Sequence, residues 1–156
     1  IGVEYFGIGD LEVSNNDKML AYSLDLKGSE YFTIHVRNIS NKKIISEEIK
    51  DTSGSITWSL DDKYIFYSKL DKFHRPRKIF RHKIGTKVKN DILIYEERDE
   101  GFTCGIGISS DEKYFFISTS DHTTSEVYFF GTKELNPKPK LLCAPKKSGL
   151  ISTAFW

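Results

Sequence analysis

Three times the chain runs an apolar stretch into a serine, turns tightly around an aspartate, and leaves on a second apolar run. The copies are Val13-Ser14-Asn15-Asn16-Asp17 through Ser23, Trp58-Ser59-Leu60-Asp61-Asp62 through Ser68, and Ile108-Ser109-Ser110-Asp111-Glu112 through Ser118. Ser14 and Ser59 are 45 residues apart, and Ser59 and Ser109 are 50 apart. A strand-built unit repeating at that length has the spacing of propeller blades. This constrains the fold more than any other feature, because a four-stranded blade is apolar on both faces and must bury each against a neighbour.

Each repeat divides into four strand-like segments. In the first they are Ile8–Ser14, Lys18–Leu24, Tyr31–Asn38 and Lys43–Ile49. The third of these alternates, with Ile34 and Val36 on one side and Thr33, His35 and Arg37 on the other, as in a half-buried strand. The second copy gives Ser55–Ser59, Lys63–Lys69, Arg77–Ile84 and Asp91–Glu97; the third gives Phe102–Ser109, Lys113–Thr119, Ser125–Gly131 and Pro139–Cys143. The aspartate-bearing turns suit tight hairpins, since Asn and Asp side chains hydrogen-bond the local backbone. Gly85 and Gly131 end outer strands at points expected to need a positive φ. The segment Lys133–Lys140, with Pro137 and Pro139, reads as an exposed hairpin loop.

The expected fold is therefore all-β: a partial propeller in a single domain, with blades at about 8–49, 55–97 and 102–143 and the start of a fourth at 149–156. Three blades and a fragment do not close a ring that in nature has about four to eight. The chain also opens on Ile1 rather than Met. It is expected to be a piece of a longer protein or, alternatively, an interaction module completed by self-association through open blade faces or by a partner.

Composition agrees and excludes several classes. Aromatics make up 13% of the chain, with 11 Phe and 8 Tyr against 4 Pro and 1 Met, a mix that favours strands. Net charge is +1, so no global field draws the chain to nucleic acid or to a membrane. No apolar run approaches the roughly 20 residues of a membrane-spanning helix. Cys104 and Cys143, 39 residues apart in apolar surroundings, are expected to be two buried free thiols, which with no visible signal peptide suits a cytoplasmic protein. Asn38-Ile39-Ser40 fits a glycosylation acceptor and is taken as a chance match in that setting.

More specific wording lies between the repeats. The chain reads Tyr5-Phe6-x-Ile8-Gly9-Asp10-Leu11-Glu12-Val13-Ser14, then Arg75-Pro76-x-Lys78-Ile79-Phe80-Arg81-His82-Lys83-Ile84-Gly85-Thr86, then Asp91-x-Leu93-Ile94-Tyr95-Glu96-Glu97-Arg98-Asp99, and later Thr123-Thr124-Ser125-Glu126-Val127. In order and spacing these segments, from about Tyr5 to Cys143, resemble the N-terminal β-propeller of oligopeptidase B (protease II), within the prolyl oligopeptidase family of serine peptidases. The resemblance implies a seven-bladed propeller over a C-terminal α/β-hydrolase domain. It also implies a Ser-Asp-His triad that cleaves short peptides after Arg or Lys, and a propeller that gates access to it.

A hydrolase nucleophile of that kind needs Gly-x-Ser-x-Gly, which the chain lacks; the nearest string, Gly105-Ile106-Gly107-Ile108-Ser109, is missing the last glycine and falls on an expected inner strand. There the two glycines are expected to relieve crowding. His35, His74, His82 and His122 carry no local catalytic signature and read as surface or satisfied strand residues. Accordingly no residue is assigned a catalytic, cofactor-binding or metal-binding role, and no cofactor is expected. The acids of an Arg/Lys specificity pocket belong, by the resemblance, to the hydrolase domain, so Glu96 and Asp99 are not given that part. Lys69–Lys89 carries nine Lys or Arg against one acid, Asp71. It reads as a solvated loop and strand face balanced by Glu96, Glu97, Asp99 and Glu100, with interdomain ion pairs and phosphate contacts to nucleic acid as the alternatives.

Overall fold

A computed structural model gives the fold of residues 5–143. The expected blade opening at 149–156 lies outside them. Eleven strands follow in order: β1 (Gly7–Val13), β2 (Met19–Asp25), β3 (Phe32–Asn38), β4 (Ile49–Trp58), β5 (Tyr64–Leu70), β6 (Pro76–Lys83), β7 (Ile92–Glu96), β8 (Thr103–Ile108), β9 (Tyr114–Ser120), β10 (Ser125–Gly131) and β11 (Lys140–Cys143). One short 3₁₀ turn, Val88–Asn90, precedes β7. All pairings are antiparallel between sequence neighbours, giving a seven-stranded sheet β1 to β7 and a four-stranded sheet β8 to β11. The architecture is a partial β-propeller.

The long sheet departs from the sequence reading in one place. Lys43–Ile49 was expected to be the outer strand of the first blade, yet it keeps only a bridge from Ile44 to Arg37 before leaving the ladder. The reason is local: Ser46 turns inward to His82, and Glu47 accepts the amide of Val88, so both side chains reach for the second blade. The chain then runs straight through β4, which pairs with β3 at Ile49 and Thr52 and with β5 from Thr52 to Trp58. The expected strand Ser55–Ser59 is thus the far half of one continuous strand. Gly54, at φ 95°, lies under the Phe32 ring, where an added Cβ would come within 3.0 Å of ring carbon.

Two apolar seams follow from strand alternation. Ala21, Ile34, Val36, Ile49, Ile56, Trp58, Ile65 and Tyr67 form the first, between blades one and two. Phe66, Ile79, Ile94, Cys104, Phe115, Ile117 and Phe130 form the second, between blades two and three. Strand β5 serves both, with Ile65 and Tyr67 facing one way and Phe66 the other, so its middle is buried on each side. Ile34 and Val36 point inward as their alternation requires.

Smaller expectations are corrected by the surroundings of single residues. Gly85 has φ 81°, whereas Gly131 ends β10 without a positive φ. Its amide donates to Glu134 Oε1 at 2.8 Å, and an added Cβ would meet that oxygen at 3.2 Å. A Cβ at Gly105 would meet nothing within 4 Å, so crowding does not account for that glycine. Both cysteines are free; Cys104 is buried, but Cys143 is exposed because β11 lies at the sheet edge with both faces open.

Candidate functional site

The serines of the threefold turn are structural in all three copies. Each hydroxyl donates to the Asn or Asp two residues on: Ser14 to Asn16 at 2.9 Å, Ser59 to Asp61 at 2.7 Å, and Ser109 to Asp111 at 2.7 Å. Each also accepts the amide five residues on, that of Met19, Tyr64 or Tyr114, at 3.0, 3.0 and 3.1 Å. With both roles filled inside the hairpin, these hydroxyls close turns. The second turn also ties blades together: buried Asp62 accepts the amides of Asn15 and Asn16 and the side-chain amide of Asn15 at 2.7 to 3.0 Å.

The four histidines have four different settings. His122 is exposed in the β9–β10 hairpin. His35 stacks on Tyr22 on the open face of the first blade and lies 3.7 Å from Glu48; burial pushes its pKa down, and Glu48 opposes that shift. His74, at the tip of the β5–β6 hairpin, packs on Tyr31 with ring centroids 4.0 Å apart. His82 is fully buried.

His82 belongs to a grouping that no local pattern announced. Its Nδ1 lies 2.7 Å from Asp91 Oδ1 and its Nε2 lies 2.5 Å from Ser46 Oγ, while the Tyr67 hydroxyl donates to Asp91 Oδ2 at 2.9 Å. An ionised carboxylate only accepts, so Nδ1 carries the proton, and in the neutral ring Nε2 accepts from Ser46. Ser, His and Asp therefore stand in the hydrogen-bond order of an activated serine. The group is sealed from solvent: the side chains of His82 and Asp91 are 0% and 3% exposed, and Tyr67, whose hydroxyl pKa burial drives upward, closes the far end. The four residues come from blade one (Ser46) and from β5, β6 and the start of β7, so the chain of bonds is a clasp across the first seam. Ser46 lies 36 residues from His82, and Asp91 lies nine from it, which is why neither was singled out as its partner.

The opposite end of the blades carries a second threefold device. Asp25, Asp71 and Asp121, spaced 46 and 50 residues apart, each cap the hairpin between a blade's second and third strands. Asp25 accepts the amides of Lys27 and Glu30, Asp71 those of Phe73 and Arg75, and Asp121 those of Thr123 and Thr124. The amides of Thr123 and Thr124 hold the Asp121 carboxyl down at about 2. The recurrence was visible in the sequence at the same period as the serines.

The nine cations of 69–89 do not form one face. Lys78 pairs with Glu96 at 3.1 Å. Arg81 is buried, its guanidinium carbon 4.6 Å from the Tyr64 ring centroid, and it donates to the carbonyl of Leu135 at 2.9 Å. Arg77 donates twice to the Glu97 carbonyl, and Arg75 donates to that of Glu100. The other five are spread over β5 (Lys69), the β5–β6 hairpin (Lys72), the end of β6 (Lys83) and the 3₁₀ turn and the residue before it (Lys87, Lys89). Four of the nine are engaged: Lys78 by an acid of the next strand, as expected of a balanced face, and Arg75, Arg77 and Arg81 by carbonyl oxygens, of which that of Leu135 belongs to the third blade.

Comparison with known proteins agrees with this architecture. The family described as "Prolyl oligopeptidase, N-terminal beta-propeller domain" matches residues 2–156. The chain is 32% identical over 127 residues to Dipeptidyl aminopeptidase BI of Pseudoxanthomonas mexicana, covering 81% of this chain and 18% of the relative. It is 30% identical over 150 residues to Protease 2 of Moraxella lacunata, covering 95% and 22%. Among solved structures, oligopeptidase B from Leishmania major superposes with a TM-score of 0.88 at 23% identity, covering 94% of this chain and 21% of that one. The chain thus spans about a fifth of the length of the relatives it matches.

Proposed function

Because this chain belongs to the prolyl oligopeptidase family, as part of its N-terminal β-propeller domain, we propose that it is a non-catalytic portion of the gate of an oligopeptidase B-like serine endopeptidase acting on short peptides after Arg or Lys. The observation that carries this reading is the family match over residues 2–156, and it is supported by a structure in which Ser14, Ser59 and Ser109 close turns and the buried His82 is held in an inter-blade clasp. In the complete enzyme the propeller caps a C-terminal α/β-hydrolase domain, admits unstructured peptides and excludes folded proteins by size, a steric role that needs no catalytic group of its own. The two free cysteines support a cytoplasmic setting.

Among the described residues, the first and third blades each leave a face uncovered. Leu11, Val13 and Tyr22 lie on one, Tyr114 and Phe129 on the other. These faces support self-association of the chain when it is alone. The test of the gating reading uses the full-length enzyme. It should hydrolyse Arg- and Lys-ending chromogenic peptides and spare a folded protein carrying the same cleavage sequence. Opening the clasp with Asp91→Ala should let the folded protein be cut. Equal cleavage of peptide and folded protein by the unmodified enzyme would overturn it.

A further inference from the structure

The β5–β6 hairpin holds an exposed ring between two cations. Phe73 is 62% exposed at its tip. Lys72 Nζ stands 5.0 Å from the ring centroid and the Arg75 guanidinium carbon 5.6 Å from it. Asp71, Lys72, Phe73, Arg75, Arg77 and Glu100 line a pocket of about 400 Å³. Unlike the open faces of blades one and three, this pocket lies at the end of the middle blade, so no neighbouring blade is required to fill it.

The charges there are fixed but not neutralised. Among the described residues, Lys72, Arg75 and Arg77 form no ion pair with a carboxylate. The two arginines are anchored on carbonyl oxygens, which position a guanidinium without cancelling its charge. Asp71 is engaged in its own turn, accepting the amides of Phe73 and Arg75 at 2.7 and 3.0 Å. Three cations against the two acids of the lining leave one net positive charge. The tilted contact of His74 with Tyr31 holds the hairpin from its other side.

A net positive lining suits an anionic group, and an arginine with unused N–H groups suits a planar carboxylate. An exposed phenyl ring adds apolar surface beside it, which a bare inorganic anion has no use for and a peptide side chain does. We propose that this pocket binds a peptide carboxylate, bridged between Lys72 and Arg75, with the adjoining residue lying on Phe73. It is a property of this chain and holds whether or not the propeller gates an active site.

The test is an amide NMR titration of the isotope-labelled chain with three peptides: capped acetyl-Phe-Asp-Glu-amide, its Asn-Gln counterpart, and a neutral peptide with a free C-terminus. The acidic peptide should give saturable shifts at Lys72, Phe73, Arg75 and Gly101, weakening as salt is raised. Lys72→Glu, at an exposed site without hydrogen bonds, should leave other resonances in place and weaken binding about tenfold. Comparable binding of the neutral free-acid peptide identifies a chain terminus as a carboxylate source, and its failure leaves side-chain acids; both outcomes support the site. Equal binding of the Asn-Gln peptide, unchanged binding by folded Lys72→Glu, or tighter binding of inorganic phosphate than of either acid would overturn it.

Discussion

Between blades one and two, aliphatic residues and Trp58 are bordered by polar links: the Ser46–His82–Asp91–Tyr67 clasp, the Asn15–Asp62 contacts, and the Trp58 indole donating to the Glu12 carbonyl at 3.1 Å. Between blades two and three the core is rings and aliphatic chains, with Phe66, Phe115 and Phe130 at centroid separations of 4.6 to 5.9 Å and Cys104 beside them. The polar links there are separate donors to single carbonyls, Thr57 to Ile106, Ser68 to Cys104 and Arg81 to Leu135, rather than a connected chain. Cys104 is buried in that seam, and burial, helped by the charge of Glu97, pushes its thiol up to about 12. Apolar packing supplies area without much direction, whereas a buried polar chain is costly unless every member finds its partner. The first seam therefore fixes register, and the second supplies cohesion.

The comparison can be broken at its strongest point first. Phe115→Ala, at 1% exposure, should cost about 4 kcal/mol of stability by urea denaturation. A loss under about 1 kcal/mol would mean the aromatic seam is not packed as described. Next, Asp91→Ala leaves His82 and Tyr67 buried without their acceptor and should cost about 3 kcal/mol. Replacing His82 and Asp91 together with Met and Leu should recover part of that loss; an additive loss instead would show that the clasp acts through packing alone. If the seams are independent, Phe115→Ala and Asp91→Ala should sum to within about 0.5 kcal/mol. A larger coupling would show that β5, with Phe66 and Tyr67 on opposite faces, transmits between them.

A smaller effect is expected at a turn. Ser59→Ala removes one donor and one acceptor from a hairpin and should cost about 1 kcal/mol by the same measurement. The smallest concerns His35. Its folded pKa lies below its unfolded value, so the folded chain binds fewer protons; the stability it contributes is present above the unfolded pKa and is lost as pH falls from there toward the folded one. A melt series from pH 7.5 to 5.5 should show a decline that His35→Gln reduces. An identical profile in the variant would remove His35 from the account.

What the sequence made legible follows the same division. Alternation at Ile34 and Val36 and the threefold serine turn placed the strands, because period-two burial and turn chemistry are local signals. The clasp was not readable, since hydrogen bonding across 36 residues leaves no mark on either neighbourhood. The same contact explains the missed merger into β4: Ser46 leaves the ladder for His82, and nothing in Lys43–Ile49 by itself signals that pull. Asp25, Asp71 and Asp121 lay within reach, since they recur at the period of the serines. The basic run was legible as a face balanced by the acids of the next strand, as Lys78 and Glu96 show, but a count of charges along the chain does not reveal that Arg77 and Arg81 fold back onto carbonyls.

On the proposed reading the Ser46–His82–Asp91 line binds blades together and performs no chemistry. Incubating the folded chain with a fluorophosphonate probe and measuring intact mass tests it directly. The account expects no adduct under conditions that label an active serine peptidase to completion. A stoichiometric adduct that maps to Ser46 and disappears in His82→Ala would contradict it.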